Sequence, residues 1–289
     1  MRCELKYATA RAFRQALEER IRRDYQGKHL SRIRKMIAFE RLMARLDQHW
    51  ILKGGYAIQL RTGRARTTQD VDLLVMDKSV QDIENIFRKE LEKDMGDFFE
   101  FVISKSGTVG AGEHSVRFQV LSRVAGRIFE RFHVDVGYMD PLLLPIDYLI
   151  PPNFLAFAQI MAASIPCYSI YQHIAEKVHA IQQPKNIQSS RVKDLVDLIL
   201  LASLDSNIQA NTLQNAIVLV FESRGDQVPN SFHSFPTTWQ QRFNRLAKET
   251  QLNFLDFQDA SQAAAAFITP VISEQVVGLT WDPIDWRWR

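Results

Sequence analysis

The sequence predicts an α+β protein, with a mixed strand-and-helix core between a basic helical pair and a helical C-terminal domain. Three observations predict it. Apolar residues recur at helical spacing before residue 48 and after residue 151. Between these stretches lie β-branched and aromatic runs, divided by turns that contain glycine and serine. The 289 residues are 46% hydrophobic and 24% charged, which is ordinary globular usage and enough chain for one or two domains with a real core. That composition excludes disordered and collagen-like chains. No apolar run approaches the roughly 18–20 residues of a membrane span, and the charged start, Met1-Arg2-Cys3-Glu4, is unlike a signal peptide. Cys3 and Cys167 have no metal-ligand spacing and are too few for a disulfide framework. We expect a soluble cytoplasmic protein with no membrane partner.

The elements divide into three parts, residues 1–48, 49–150 and 151–289. In the first, Thr9–Leu46 reads as two helices broken near Gly27, with Phe13, Leu17 and Ile21 on the apolar stripe of one and Ile33, Ile37 and Leu42 on that of the other. In the second, Trp50-Ile51-Leu52 is a short strand, Tyr56–Arg61 a helix, Val71–Val75 a strand and Val80–Leu91 a helix. Phe98–Ser104, His114–Leu121 and Ile128–Val136 read as three more strands. From Pro151 the pattern is helical, over Ser169–Ile181, Val192–Leu204, Leu213–Phe221, Thr237–Glu249 and Ala260–Phe267. The aromatic tail, Trp281 to Arg289, reads as docked on the body, with base stacking as the weaker reading.

Charge is uneven along the chain. Residues 1–48 hold 13 Lys/Arg against 6 Asp/Glu, although the whole chain is only +3. A basic front end suits a polyanion such as RNA, with Arg20, Arg22, Arg23, Arg32, Arg34 and Lys35 as its contacts. A solvated helix face explains the same pattern equally well. Arg61 and Arg64 likewise read as RNA or phosphate contacts, or as a solvated basic loop.

The informative segment is Lys53-Gly54-Gly55-Tyr56, followed by Arg66, Thr68 and Asp70-Val71-Asp72. Glycines between a strand and a helix let backbone approach a ligand, and the helix start offers free N–H groups to a phosphate. Asp70 and Asp72 alternate with Val71 on a strand, so both project from one face. Two such carboxylates can hold Mg²⁺ or Mn²⁺ against triphosphate oxygens. A lone diglycine or a lone Asp-x-Asp would be a turn or a strand end; the ordered combination points to phosphate and metal. Asp135, a single acid inside the apolar run Phe132–Val136, is either a third carboxylate or a residue closing the strand before Gly137. Lys177 lies on the apolar stripe Ile170, Ile174, Ile181, and Asp194 shares a face with Leu198 and Leu201. Two readings are open for them: a buried ion pair between helices, or two groups that face substrate.

These residues resemble the AbiEii/AbiGii nucleotidyltransferase toxins of type IV-like toxin–antitoxin and abortive-infection pairs, within the DNA polymerase β-like superfamily. The match runs through Lys53-Gly54-Gly55, Arg61, Arg66 and Thr68-Gln69-Asp70-Val71-Asp72, then Ala175-Glu176-Lys177 and Arg191-Val192-Lys193-Asp194-Leu195-Val196-Asp197. It extends to about Ser203. The resemblance implies a polymerase β-like core with Asp70, Asp72 and Asp135 as metal-binding and catalytic acids and Lys177 and Asp194 as further catalytic groups. It places them in a cleft between the core and the helical domain. Nucleotide binding would fall to Lys53, Gly54, Gly55, Tyr56, Arg66, Thr68 and Lys177. The superfamily often has Ser or Thr where this chain has Tyr56. Thr68 matches a position that in some relatives is modified to silence the toxin. The implied reaction moves a nucleoside monophosphate from an NTP to an acceptor, foremost the 3′ end of tRNA, which blocks translation and growth. The implied partners are tRNA or other RNA and a cognate antitoxin, such as a winged-helix regulator. The alternatives are a small-molecule or protein acceptor, or a silent RNA- or partner-binding protein of the same fold.

Overall fold

Alternation of buried and part-exposed residues along Ser115–Val124 is the clearest strand signature in the chain, and it organises the main sheet. The structure, a computed structural model, describes residues 6–25, 27–64, 68–76, 80–108, 115–182, 191–204, 207–232 and 235–289. It divides into two compact units, one of Met1–Leu60, Thr67–Asp140 and Tyr148–Cys167, the other of Arg61–Arg66, Pro141–Asp147 and Tyr168–Arg289.

The first unit begins with α1 (Ala10–Asp24) and α2 (Lys28–Met43). Thr9 caps α1 by accepting the Ala12 N–H at 3.2 Å. Next come β1 (Trp50–Lys53), α3 (Gly54–Thr62), β2 (Asp70–Val75) and α4 (Val80–Leu91). The strands β3 (Phe99–Thr108), β4 (Ser115–Val124) and β5 (Arg127–Gly137) follow, with β6 (Asp147–Leu149) and β7 (Ile165–Cys167) after them. Among the described residues these strands form one seven-stranded mixed sheet, ordered β3-β4-β5-β2-β1-β7-β6. The β4–β5 turn has positive φ at Ala125 and Gly126, the backbone of a tight two-residue hairpin. β2 runs parallel to β5 and antiparallel to β1.

One face of the sheet is apolar. Val71, Leu73, Phe118, Val120, Val134 and Val136 are buried there with Trp50. Phe87 of α4 sits between Trp50 and Phe118, with centroids at 5.2 and 4.8 Å, and Phe39 of α2 packs edge-on against Phe132 at 4.9 Å. Each such ring contact adds about 0.5–1.5 kcal/mol beyond the area it buries. The other face carries Lys53 of β1, Asp70 and Asp72 of β2, Arg117 of β4 and Asp135 of β5.

Two expectations change. The sequence pattern predicts a helical region from Pro151, yet Ile165–Cys167 is β7, paired in parallel with β1 through Leu52 and Cys167. The front-end basic excess is also partly interior. Arg45 makes a two-pronged pair with Asp97 at 2.7 and 3.0 Å, while Arg41 bonds Glu40, Asp97 and the Met161 carbonyl; both guanidiniums are buried. A buried charge needs such a partner, and Asp97 is too distant in sequence for local pattern to supply it.

The second unit holds α5 (Ile170–Gln182), α6 (Val192–Ala202), α7 (Ala210–Glu222), α8 (Gln240–Thr250) and α9 (Phe257–Ile272). Every residue of α6 except Lys193 is buried, as its nearly continuous apolar sequence requires. The aromatic tail forms a hairpin of β8 (Trp281–Asp282) and β9 (Arg287–Trp288). The indole N–H groups of Trp281, Trp286 and Trp288 bond the carbonyls of Ala202, Ala263 and Phe267 at 2.8–3.0 Å, so the tail is docked on the helices. Among the described residues no helix is long and apolar enough to cross a membrane. Cys167 is buried and forms no disulfide among the described residues, and Cys3 lies outside them.

Candidate active site

Strand register places four charged residues in one line across the sheet: Arg117 on β4, Asp135 on β5, Asp72 on β2 and Lys53 on β1. Arg117 pairs with Asp135, Asp135 with Asp72, and Asp72 with Lys53. Register partners project from the same face, so the side chains read plus, minus, minus, plus. Two residues along the strands lies a second line, Gln119, His133 and Asp70. Asp70 is therefore on the face of Asp72, and its Oδ1 is 3.4 Å from His133 Nδ1. Neighbouring carboxylates repel, and the flanking cations offset this. Arg117 holds Asp135 side-on, Nε to Oδ1 and Nη2 to Oδ2, both at 2.6 Å. This bonding, with the charges of Asp135, Asp70 and Asp72, raises the Arg117 pKa. Lys53 is bonded to Asp140.

The diglycine contributes through its first residue. Gly54 has φ of +67°, and a Cβ there would lie 2.0 Å from Asp72 Oδ2. Only glycine permits the bend and the carboxylate to touch. Both glycines fall inside the first turn of α3 rather than in a loop before it. Tyr56 is fully buried, its ring 5.1 Å from Phe39 and its hydroxyl pointed at the Met36 carbonyl, so its side chain belongs to the core. Thr68 is buried as well, and its hydroxyl has no hydrogen-bond partner among the described residues.

Among the described residues no three acidic, histidine or cysteine side chains form a ready-made metal cage. Two carboxylates on one strand and a third in register beside them are nonetheless a hard oxygen donor set. Such a set suits Mg²⁺ or Mn²⁺ when phosphate oxygens complete the shell.

The second unit arranges its charges differently. Lys177 of α5 bonds Asp194 at 2.8 Å and Asp197 at 2.9 Å, both on α6, and Arg191 reaches Asp194 at 3.3 Å. Burial opposes the ammonium charge, but Asp194 and Asp197 outweigh it and raise the Lys177 pKa. Burial likewise opposes the Asp194 charge, and Lys177 outweighs it and lowers that pKa. Asp197, one turn beyond Asp194, was not singled out as a site residue; its place on the same helical face was the available signal.

The remaining basic candidates separate by use. Arg34 bonds Glu18 and the Phe129 carbonyl at 2.5 Å and lies over the Phe129 ring at 4.2 Å. Arg20 lies over Phe157 at 4.4 Å, Lys35 bonds Gln69, and Arg61 bonds Asp147 and the Tyr168 carbonyl. Arg22, Arg23 and Arg64 are exposed, Arg23 pairing with Asp24, and Arg32 is half-buried. Arg66 lies outside the described residues.

Comparison with known proteins bears on the fold and the family. A search of curated protein sequences gave no match. Among solved structures, the MenT4 nucleotidyltransferase toxin of Mycobacterium tuberculosis aligns with a TM-score of 0.52 at 19% identity, covering 87% of this chain and 93% of its own, a likeness of fold. JHP933 from Helicobacter pylori aligns more loosely, with a TM-score of 0.45 at 13% identity, covering 83% of this chain and 92% of its own. A family model described as nucleotidyl transferase AbiEii toxin, type IV toxin–antitoxin system, matches residues 38–270. That span takes in the diglycine, the charged line across the sheet and the Lys177 trio, and on it the chain belongs to the AbiEii family of nucleotidyltransferase toxins.

Proposed function

We propose that this nucleotidyltransferase is a Mg²⁺- or Mn²⁺-dependent toxin that transfers a nucleoside monophosphate from an NTP to the 3′ end of tRNA. The extended tRNA could not be aminoacylated, and translation would stop. The observation that carries the chemistry is the register of Asp72 with Asp135, with Gly54 packed on Asp72. The acceptor hydroxyl forms a bond to the α-phosphorus, the bond to the bridging oxygen breaks, and pyrophosphate leaves with that electron pair. A bound divalent ion supplies charge stabilisation to the triphosphate. Asp70, Asp72 and Asp135 would hold it, and Asp135 would also take the hydroxyl proton. The start of α3 presents backbone N–H groups to phosphate, a role in which Tyr56 acts through its main chain. Thr68 offers the nucleotide a hydroxyl that has no partner among the described residues, and its burial argues against ready modification in this state.

RNA contact falls to the exposed Arg22, Arg23 and Arg64, which bind phosphate without reading sequence. The functional division we propose keeps residues 1–48 for RNA, 49–150 for chemistry and 151–289 for the helical part, in a cytoplasmic protein. The family implies an antitoxin partner, and a winged-helix regulator is our reading of it.

Labelled NTPs offered with purified tRNA, total RNA, protein and small-molecule acceptors test this. Wild type should label tRNA, and Asp72→Ala should lose about 10²–10³-fold, the scale of removing one preorganised electrostatic group. Label on protein or small molecule and not RNA would replace the acceptor, and toxicity unchanged in Asp72→Ala would make the protein a silent binder.

A further inference from the structure

Arg117 stands apart from the residues that sequence reasoning selected, yet its contacts are the most directed in the candidate site. Its fork takes both oxygens of Asp135, each at 2.6 Å, and fills the approach that a second cation would use. Packing does not lock it there, because its side chain is 42% exposed against 22% for Asp135. A part-exposed ion pair is weak enough to exchange. Lys53, at the other end of the line, bonds Asp140, while Arg117 bonds one of the two central carboxylates directly.

We propose that Arg117 competes with the divalent ion for Asp135 in the free enzyme and moves its guanidinium to the triphosphate when the nucleotide binds. The proposal rests on the metal reading of the site given above. Two adjacent carboxylates with an internal counter-cation bind a free metal ion poorly, since the ion must displace a charge already in place. A nucleotide brings its own negative oxygens. The fork that fits a carboxylate side-on fits a phosphate in the same way, so Arg117 exchanges one anion for another while Asp135 is released. Metal loading then depends on nucleotide, and the acidic face is not filled by cation alone.

Manganese binding, followed by electron paramagnetic resonance with and without a non-hydrolysable NTP analogue, tests this on the full chain. Arg117→Gln should bind Mn²⁺ about fivefold more tightly than wild type without nucleotide, the scale of one screened ion pair. Its KM for NTP should rise about tenfold, through loss of a charge-assisted bond to phosphate. Arg117→Lys, which keeps the charge and loses the fork, should fall between the two. Mn²⁺ affinity that is unchanged or weaker in folded Arg117→Gln overturns the competition while leaving the metal site standing. Wild type and Arg117→Gln that both fail to bind Mn²⁺, even with the analogue, overturn the metal reading itself and this proposal with it.

Discussion

The side chain of Asp70 is 39% exposed and that of Asp135 22%, whereas Asp194 is 4% and Asp197 1% exposed. Both regions set carboxylates beside a long cation, and the family motifs name residues in both. On the sheet, the charges stand on a polar face and are partly exposed to solvent. Between α5 and α6 they are enclosed, and one ammonium serves two acids, with Arg191 assisting at Asp194. An enclosed charge without its partner costs far more than an exposed one, so the two regions answer the same substitution differently. Charge identity alone therefore does not set the response to substitution; solvent access and the number of partners do.

The largest expected effect is at the enclosed trio. Lys177→Ala takes the shared ammonium away from the buried Asp194 and Asp197, leaving Arg191 beside Asp194, and should cost about 3–5 kcal/mol, read as a fall of roughly 10 °C in melting temperature. Replacing all three, Lys177→Met with Asp194→Leu and Asp197→Leu, should return most of that stability. If nucleotide transfer survives in the folded triple variant, the trio is a structural tie; if transfer is lost while stability returns, Lys177 and Asp194 act in the reaction. Next is Gly54→Ala. It forces an alanine into positive φ against a carboxylate oxygen and should cost about 1–3 kcal/mol in urea unfolding, with loss of transfer as Asp72 is displaced.

Acid should sharpen the contrast further. The Asp194 pKa is lowered from 3.8 by Lys177 against burial, so its contribution is present above pH 4 and lost as pH falls through the folded value. The Lys177 pKa is raised from 10.5, so its contribution is present below that pH and lost only as pH rises through the folded value. Thermal melts should therefore show a plateau from about pH 5 to 9 with a fall in acid that the triple variant lacks. The smallest stability change belongs to the sheet. Asp70→Asn should shift stability by no more than about 0.5 kcal/mol, as exposed positions do, while abolishing most of the transfer.

Legibility in the sequence followed how locally each feature is determined. The strands β4 and β5 declare themselves through alternation, and α6 through its continuous apolar run. β7 does not, since three residues around Pro166 become a strand only by pairing with β1. The Asp-x-Asp pair is readable because strand geometry fixes its shared face, and Asp135 because it interrupts an apolar run. Arg117 was invisible for the complementary reason: a charge at an alternate strand position looks like an ordinary solvated residue. Its importance comes from register with a strand that begins ten residues later. Arg41 and Arg45 misled in the opposite direction, counted as outward basic charge until Asp97 brought them inside.

The contact between Gly54 and Asp72 makes those two positions a single unit for mutation. A methyl group at 54 fits only if the side chain at 72 is shortened, and shortening it removes the carboxylate. No stepwise path through such a pair preserves activity at each stage. Efforts to retune the enzyme must therefore begin elsewhere, at rim positions such as Gln119 and His133, where side chains have room to vary.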